Sequence, residues 1–196
     1  MNSTASFSTP AEEEGPCGNW TYHEWAEAFS TNDLARALPP WHIAVCRVQT
    51  GGRGRFNRKW IGEEGGLWAS FNVPLDTPAD AADGVDWGHL PLVAGLALLS
   101  MLRGMGLDSV RLRWPNDLLA GKSKLAGILV ERPAAHMAVI GIGINIFNGK
   151  NWLSGSDFSN LRNIDSLCAN KIKAIINNFN CSRFCWILAD VTISLK

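Results

Sequence analysis

The chain has 196 residues, with 18 basic and 18 acidic side chains, and its mean hydropathy is zero. That balance excludes a general nucleic-acid binder, which carries a basic excess, and the longest apolar run, residues 92–102, is too short and too interrupted to span a bilayer. Five cysteines at irregular spacing, without a CxxC pair, support neither a disulfide framework nor a cysteine zinc site, and fit a reducing, cytoplasmic setting.

Residues 1–18 are polar and acidic and read as a mobile tail without a signal-like apolar core. No winged-helix or helix-turn-helix pattern fits before residue 40. A first strand is predicted over 20–25, then a helix over 32–38, capped by Ser30 or Thr31 and ended by Pro39-Pro40. On local grounds these hydroxyls only cap the helix; the functional alternative is that the helix start holds a polar ligand.

A strand over 42–48 leads into Gln49-Thr50-Gly51-Gly52-Arg53-Gly54-Arg55-Phe56-Asn57-Arg58-Lys59-Trp60. Glycines let backbone N–H groups converge on an anion, and arginine forks grip phosphate or carboxylate. A terminal indole suits a purine face. The stretch reads as a loop closing over a phosphate-bearing small molecule; a flexible basic loop and an RNA-binding segment are the alternatives.

Residues 67–73 alternate as a half-buried strand. A loop over 74–84 precedes a helix from about 87 to 103, with Pro91 in its first turn and Gly104 and Gly106 at its end. Its residues are apolar nearly all round, which predicts burial against a sheet. Strand 110–114, the break at Pro115-Asn116-Asp117, and a hairpin that turns at 121–123 and returns over 124–131 come next. A turn is predicted at 132–135 and a buried, glycine-containing strand at 136–145. The pattern is a mostly antiparallel sheet with helices on one side, an α+β domain over 19–148. Most of the nine tryptophans are expected in the core or in pocket walls. Beyond residue 148 the composition turns asparagine- and cysteine-rich; a helix over 164–176 and a strand over 185–195 are predicted, and 149–196 reads as an atypical C-terminal segment.

Four motifs in order give the chain its resemblance to the biotin–protein ligases, of the monofunctional type without a DNA-binding domain. They are Ser30-Thr31-Asn32; Gln49 with Gly52-Arg53-Gly54-Arg55 through Lys59-Trp60; Trp114-Pro115-Asn116-Asp117 with Lys124 to Glu131; and Gly141-Ile142-Gly143-Ile144-Asn145. The resemblance covers about residues 20–147 and implies a mixed, mostly antiparallel sheet flanked by helices, related to class II aminoacyl-tRNA synthetases.

By position, the resemblance implies biotin contacts at Ser30, Thr31, Asn32, Gln49, Gly52, Arg53, Gly54, Arg55, Lys124 and Gly127. The strand around Gly127, Ile128 and Leu129 would take the thiophane ring and the acid tail. Nucleotide contacts are implied at Arg55, Arg58, Trp60, Asn116 and Asn145. Arg55, Lys124 and Asp117 are the implied catalytic set. ATP and biotin would be substrates, Mg²⁺ would travel with ATP, and no protein metal site is expected. The partner would be a biotin carboxyl carrier protein or domain, with no nucleic acid and no membrane; a homodimer is in keeping with monofunctional relatives. Read locally, the alternatives are a solvated edge cation at Lys124, a turn at Asn116-Asp117 and a core position for Trp60. The alternatives in function are a lipoate- or octanoate-transferring relative of the same fold and a truncated relative that only binds. Phe56-Asn57 depart from the glycine and basic residues usual in this loop, and Arg113 stands where lysine is common.

Overall fold

The computed structural model describes residues 20–75 and 87–145, so the tail, the 149–196 segment and most of the loop over 74–84 lie outside the described residues. Seven strands form one sheet: β1 (Thr21–Ala28), β2 (His42–Gln49), β3 (Leu67–Pro74), β4 (Val110–Arg113), β5 (Asp117–Ala120), β6 (Ser123–Ala134) and β7 (Met137–Ile144). Their order is β1-β2-β3-β7-β6-β5-β4. Only β1 and β2 run parallel, joined by a crossover through α1 (Thr31–Ala37); every other pair is antiparallel. A single 3₁₀ turn, Trp87–His89, leads into the second helix, α2 (Leu90–Gly104).

Alternation along a strand sends successive side chains to opposite faces of the sheet. On one face Ile43, Val45, Ala69, Phe71, Ile128, Ile140, Ile142 and Ile144 cluster with Ala94, Leu98 and Leu102 of α2. On the other, Ala44 and Val139 pack against Ala35 of α1. The two helices therefore lie on opposite faces, where one side was expected. Periodicity shows that each helix has an apolar stripe, but not which face of the sheet receives it. Asn72, on the α1 face, donates from Nδ2 to the carbonyls of Ala35 and Leu38 and so ties off the end of α1.

Leu98 is 1% exposed at the centre of the larger core. Leu98→Ala is expected to cost about 2–5 kcal/mol, the sum of lost transfer energy and the cavity left behind. Urea denaturation should show this as a lower midpoint at unchanged slope.

Several expectations need correction. β1 runs on to Ala28, and β6 continues to Ala134, so the turn expected at 132–135 shrinks to Ala135-His136. The register shift between Glu131 and Ala134 lets β6 pass through Pro133, which cannot donate to a ladder. α2 is buried against the sheet as expected, while Leu96 on its outer side is 50% exposed. Of the tryptophans whose side chains are described, Trp68 is fully buried, while Trp114 is 79% exposed and walls no core.

Candidate active site

The face that carries α1 holds ladder rows in which glycine replaces side chains. One row runs across five strands from Cys46 through Trp68, Gly143 and Gly127 to Asp117. The next pairs Ala44, Ser70, Gly141 and Leu129. The paired glycines leave a trough in the sheet, and the trough is occupied. The Trp60 ring lies over Gly143 and Gly127, where added Cβ atoms would sit 2.7 Å and 2.8 Å from it. A Cβ on Gly141 would land on Asn32 Oδ1. Glycine is required here for close approach rather than for unusual dihedrals. Ile128 was expected on this face with Gly127 and Leu129, but strand parity turns it into the α2 core.

One end of the trough is polar. Ser30 takes the N-cap position of α1 without a side-chain cap bond, so the hydroxyls do not serve as a simple cap. Thr31 instead donates its backbone N–H to Gln49 Oε1 at 2.8 Å, and its Oγ1 lies 3.1 Å from the same oxygen. Ser70 Oγ lies 2.7 Å from Thr31 Oγ1 and 2.6 Å from Asn32 Oδ1. Asn32 Nδ2 donates to Glu131 at 2.9 Å. Ser30, Thr31, Asn32 and Ser70 are all buried. Because the Thr31 N–H fixes which end of the Gln49 amide accepts, Gln49 Nε2 is left as a donor.

The Gly-Arg stretch closes on itself. Gly54 N–H donates to Arg58 O, Trp60 N–H donates to Gly52 O, and Arg53 and Lys59 form a β-bridge. Phe56 and Asn57 at the tip have φ of 57° and 56°, the left-handed region where glycine is the usual residue. Phe56 is 82% exposed and the Arg55 guanidinium lies over its ring. Arg53 does not open its fork toward the trough. It makes two bonds to Asp33, at 2.9 Å and 2.6 Å, and lies 3.6 Å from Glu131. Arg53's hydrogen bonds hold the Asp33 carboxyl below the usual range, against the opposing effect of burial.

The other end of the trough is cationic. The register of β5 against β6 shifts between Leu118 and Leu119, where Ala126 and Lys124 are the successive partners. The extra residue, Leu125, stays in the core, and Lys124 returns to the face of Gly127. Lys124 Nζ lies 2.7 Å from Asp117 Oδ1 and 5.0 Å from the centre of the Trp60 ring. Arg113 holds the other Asp117 oxygen at 2.6 Å. Two cations on one carboxylate leave this end net positive. Asn116 donates to Ile128 O and accepts from Arg55 at 3.3 Å. Asn145 donates from Nδ2 to Lys124 O, which fixes the strand from which Lys124 projects.

Burial raises the Asp117 pKa, but bonds and charge from Lys124 and Arg113 outweigh it, and the net shift is downward. A depressed carboxylate pKa gives stability that is present above the unfolded value and lost as pH falls through the folded one. Asp117→Asn should therefore cost stability at neutral pH, and the gap to wild type should close as pH falls below 3.8, as thermal melts would record. Burial pushes the Cys46 thiol up to about 12, which makes it no candidate for a nucleophile.

The structure thus brings Ser30, Thr31, Asn32, Gln49, Gly52, Trp60, Lys124, Gly127, Asn116, Asp117 and Arg55 around one trough. Arg58 is exposed on the hairpin, and its carbonyl receives the Gly54 N–H. Gly52 is packed against Gln49 and the Trp60 carbonyl. Sequence reasoning missed Ser70, Asp33 and Glu131 as members of the site. The signals available were parity with Trp68 for Ser70 and a four-residue offset from Gly127 for Glu131. Among the described residues no cluster of three or more His, Cys, Asp or Glu side chains is arranged to hold a metal ion. No described helix is long and apolar enough to cross a membrane.

The seven-stranded mixed sheet has the biotin/lipoate-ligase catalytic-domain fold, on its family match and its solved neighbours. The chain belongs to the biotin/lipoate A/B protein ligase family, which matches residues 22–145. It is 42% identical over 119 residues to the bifunctional ligase/repressor BirA of Escherichia coli, covering 58% of this chain and 36% of that protein. It is 39% identical over 132 residues to the biotin–[acetyl-CoA-carboxylase] ligase of Mycobacterium tuberculosis, covering 62% and 47%. The chain thus spans half or less of the length of these two relatives. Among solved structures it resembles the Leishmania major biotin protein ligase in complex with biotin, with TM-score 0.61, 25% identity, and coverage of 83% of this chain and 72% of that one. The Aquifex aeolicus biotin protein ligase in complex with biotin and ATP gives TM-score 0.56 at 26% identity, with coverage of 83% and 73%.

Proposed function

We propose that this protein is a biotin–protein ligase, with residues 19–148 as its catalytic domain. It activates biotin with ATP and transfers it to a lysine of a biotin carboxyl carrier protein or domain. In the first step a biotin carboxylate oxygen attacks the α-phosphorus of ATP, forming the acyl-phosphate bond of biotinyl-5′-adenylate as pyrophosphate leaves. In the second, the carrier lysine amine attacks the acyl carbon; an amide forms, AMP departs and the amine loses a proton. Neither step needs a protein nucleophile, only positioning and charge stabilisation.

The observation that carries this reading is the asymmetry of the trough, polar at Thr31, Asn32, Gln49 and Ser70 and cationic at Lys124. Two to three strand spacings separate these ends, roughly 10–14 Å, which suits an elongated acid with a polar ring. In this reading Gln49 Nε2 donates to the ureido carbonyl, and the hydroxyl and amide oxygens accept from the ureido N–H groups. The acid tail runs past the outer face of the Trp60 ring, which itself covers Gly143 and Gly127. Lys124 and Arg55 meet the carboxylate and the α-phosphate. Trp60 borders the adenine, and Asn116 and Asn145 serve the nucleotide. Asp117 keeps Lys124 aimed. Mg²⁺ enters with ATP as part of that substrate, held by phosphate oxygens and water, because Asp117 is already committed to two cations.

A lipoate ring offers no partners for the polar end, and each unpaired group would cost about 1–3 kcal/mol. The test supplies Mg-ATP and a carrier domain with biotin, lipoate or octanoate, and reads the mass added to the carrier. The reading expects the biotin adduct to dominate; equal use of lipoate would favour the acyltransferase relative, and no adduct with any acid would favour a binding-only protein.

A further inference from the structure

We infer that Ser70 and Glu131 are positioning residues that fix the direction of the hydrogen bonds at the polar end of the trough, so that this end selects a ligand carrying an N–H. The consequence for biotin rests on the proposed ligase function; the direction of the bonds does not.

Four oxygens lie in a row there. Gln49 Oε1 is 3.1 Å from Thr31 Oγ1, which is 2.7 Å from Ser70 Oγ, which in turn is 2.6 Å from Asn32 Oδ1. Each of these contacts needs a proton, but only the two hydroxyls carry one. One contact is therefore left without. The ends of the row are set from outside it. Glu131 is a carboxylate that also pairs with Arg36 and Arg53, and it can only accept. Asn32 therefore turns Nδ2 toward Glu131 and Oδ1 toward Ser70. The Thr31 backbone N–H turns Gln49 Oε1 inward in the same way. Ser70 must then donate to Asn32, and Thr31 must donate to Ser70. Both protons are used, and the contact without one is the longest, between Thr31 Oγ1 and Gln49 Oε1. Two acceptors that face each other so closely are best satisfied by one N–H that both can share. They favour a ring N–H and disfavour an ether oxygen, a thioether or a methylene in its place. Ser70 on β3 and Glu131 on β6 set this polarity without reaching the ligand themselves.

Ser70→Ala removes the acceptor of the Thr31 proton, so the hydroxyl can swing to Gln49 Oε1 and fill the contact. Glu131→Gln acts from the far end. A glutamine amide can donate to Asn32 Oδ1, the Asn32 amide then turns over, and the reversed row makes all three contacts. Calorimetry on the full chain measures Kd for biotin and for its two carbamate analogues, in each of which a ring oxygen replaces one ureido N–H. The analogue lacking the N–H that faces Thr31 should bind wild type about a hundredfold more weakly than biotin. Both variants should shrink that gap about tenfold, by weakening biotin while the analogue holds. Equal losses for biotin and analogue would show a packing role alone and overturn the inference. A neutron structure of the deuterium-exchanged protein reads the direction without any ligand. Deuterons are expected between Thr31 and Ser70 and between Ser70 and Asn32; one between Thr31 and Gln49 would overturn the inference. The expected deuterons in a wild type that binds no biotin would leave the inference standing and remove the ligase reading instead.

Discussion

Arg55→Ala is expected to lower adenylate formation by about two to three orders of magnitude while leaving the fold intact. The side chain is exposed, touches Asn116 at 3.3 Å and covers the Phe56 ring, and contributes nothing to either core. Its loss should therefore not move the thermal midpoint. The chemistry is different. Negative charge shifts among the biotin carboxylate, the α-phosphate and the departing pyrophosphate, and a guanidinium fork answers that charge with directed bonds. Arg53, bound to Asp33, is not free to substitute. Arg55→Lys should recover only part of the rate, because an ammonium keeps the charge but not the planar fork. Full activity in Arg55→Ala would remove Arg55 from the reaction.

Lys124→Gln should have a comparable effect, for a different reason. The bulge at Leu125 aims Lys124 into the trough, and Asp117 together with the Trp60 ring fixes its ammonium. A preorganised cation needs no reorganisation when charge develops, so its removal should fall mainly on kcat. We expect a loss on the order of 10²-fold in the adenylation rate, with KM for biotin changed by only a few fold. Asp117 would retain Arg113, so the variant should fold. Single-turnover adenylation at saturating biotin and ATP measures this directly. A pure KM effect would place Lys124 in ground-state binding alone.

Much of the fold was legible because its strands obey simple alternation. Residues 67–73 alternate apolar and polar, although both faces of β3 prove buried, and the turn at Gly121, with φ of 61°, marks the hairpin between β5 and β6. The polar set at Thr31, Asn32 and Gln49 was also legible, since it rests on motifs in order. What alternation cannot reveal is register. Ser70 joins the site because it pairs with Gly141 across β3 and β7. Glu131 joins because β6 carries it to the face that α1 covers, beside Asn32. The bulge that returns Lys124 to this face leaves no mark in the local sequence, and the same holds for the outward turn of Trp114. Arg53 is the instructive case. Its residue type fits an anion, but a carboxylate thirty ångströms away or three looks the same in sequence, and here Asp33 lies within 3 Å.

The most direct measurement is to incubate the purified protein with biotin and Mg-ATP, without any carrier, and search for biotinyl-5′-adenylate by mass spectrometry. The account predicts that the adenylate forms together with pyrophosphate, and that Arg55→Ala and Lys124→Gln suppress it. A folded protein that yields no adenylate at saturating biotin and ATP would contradict the account.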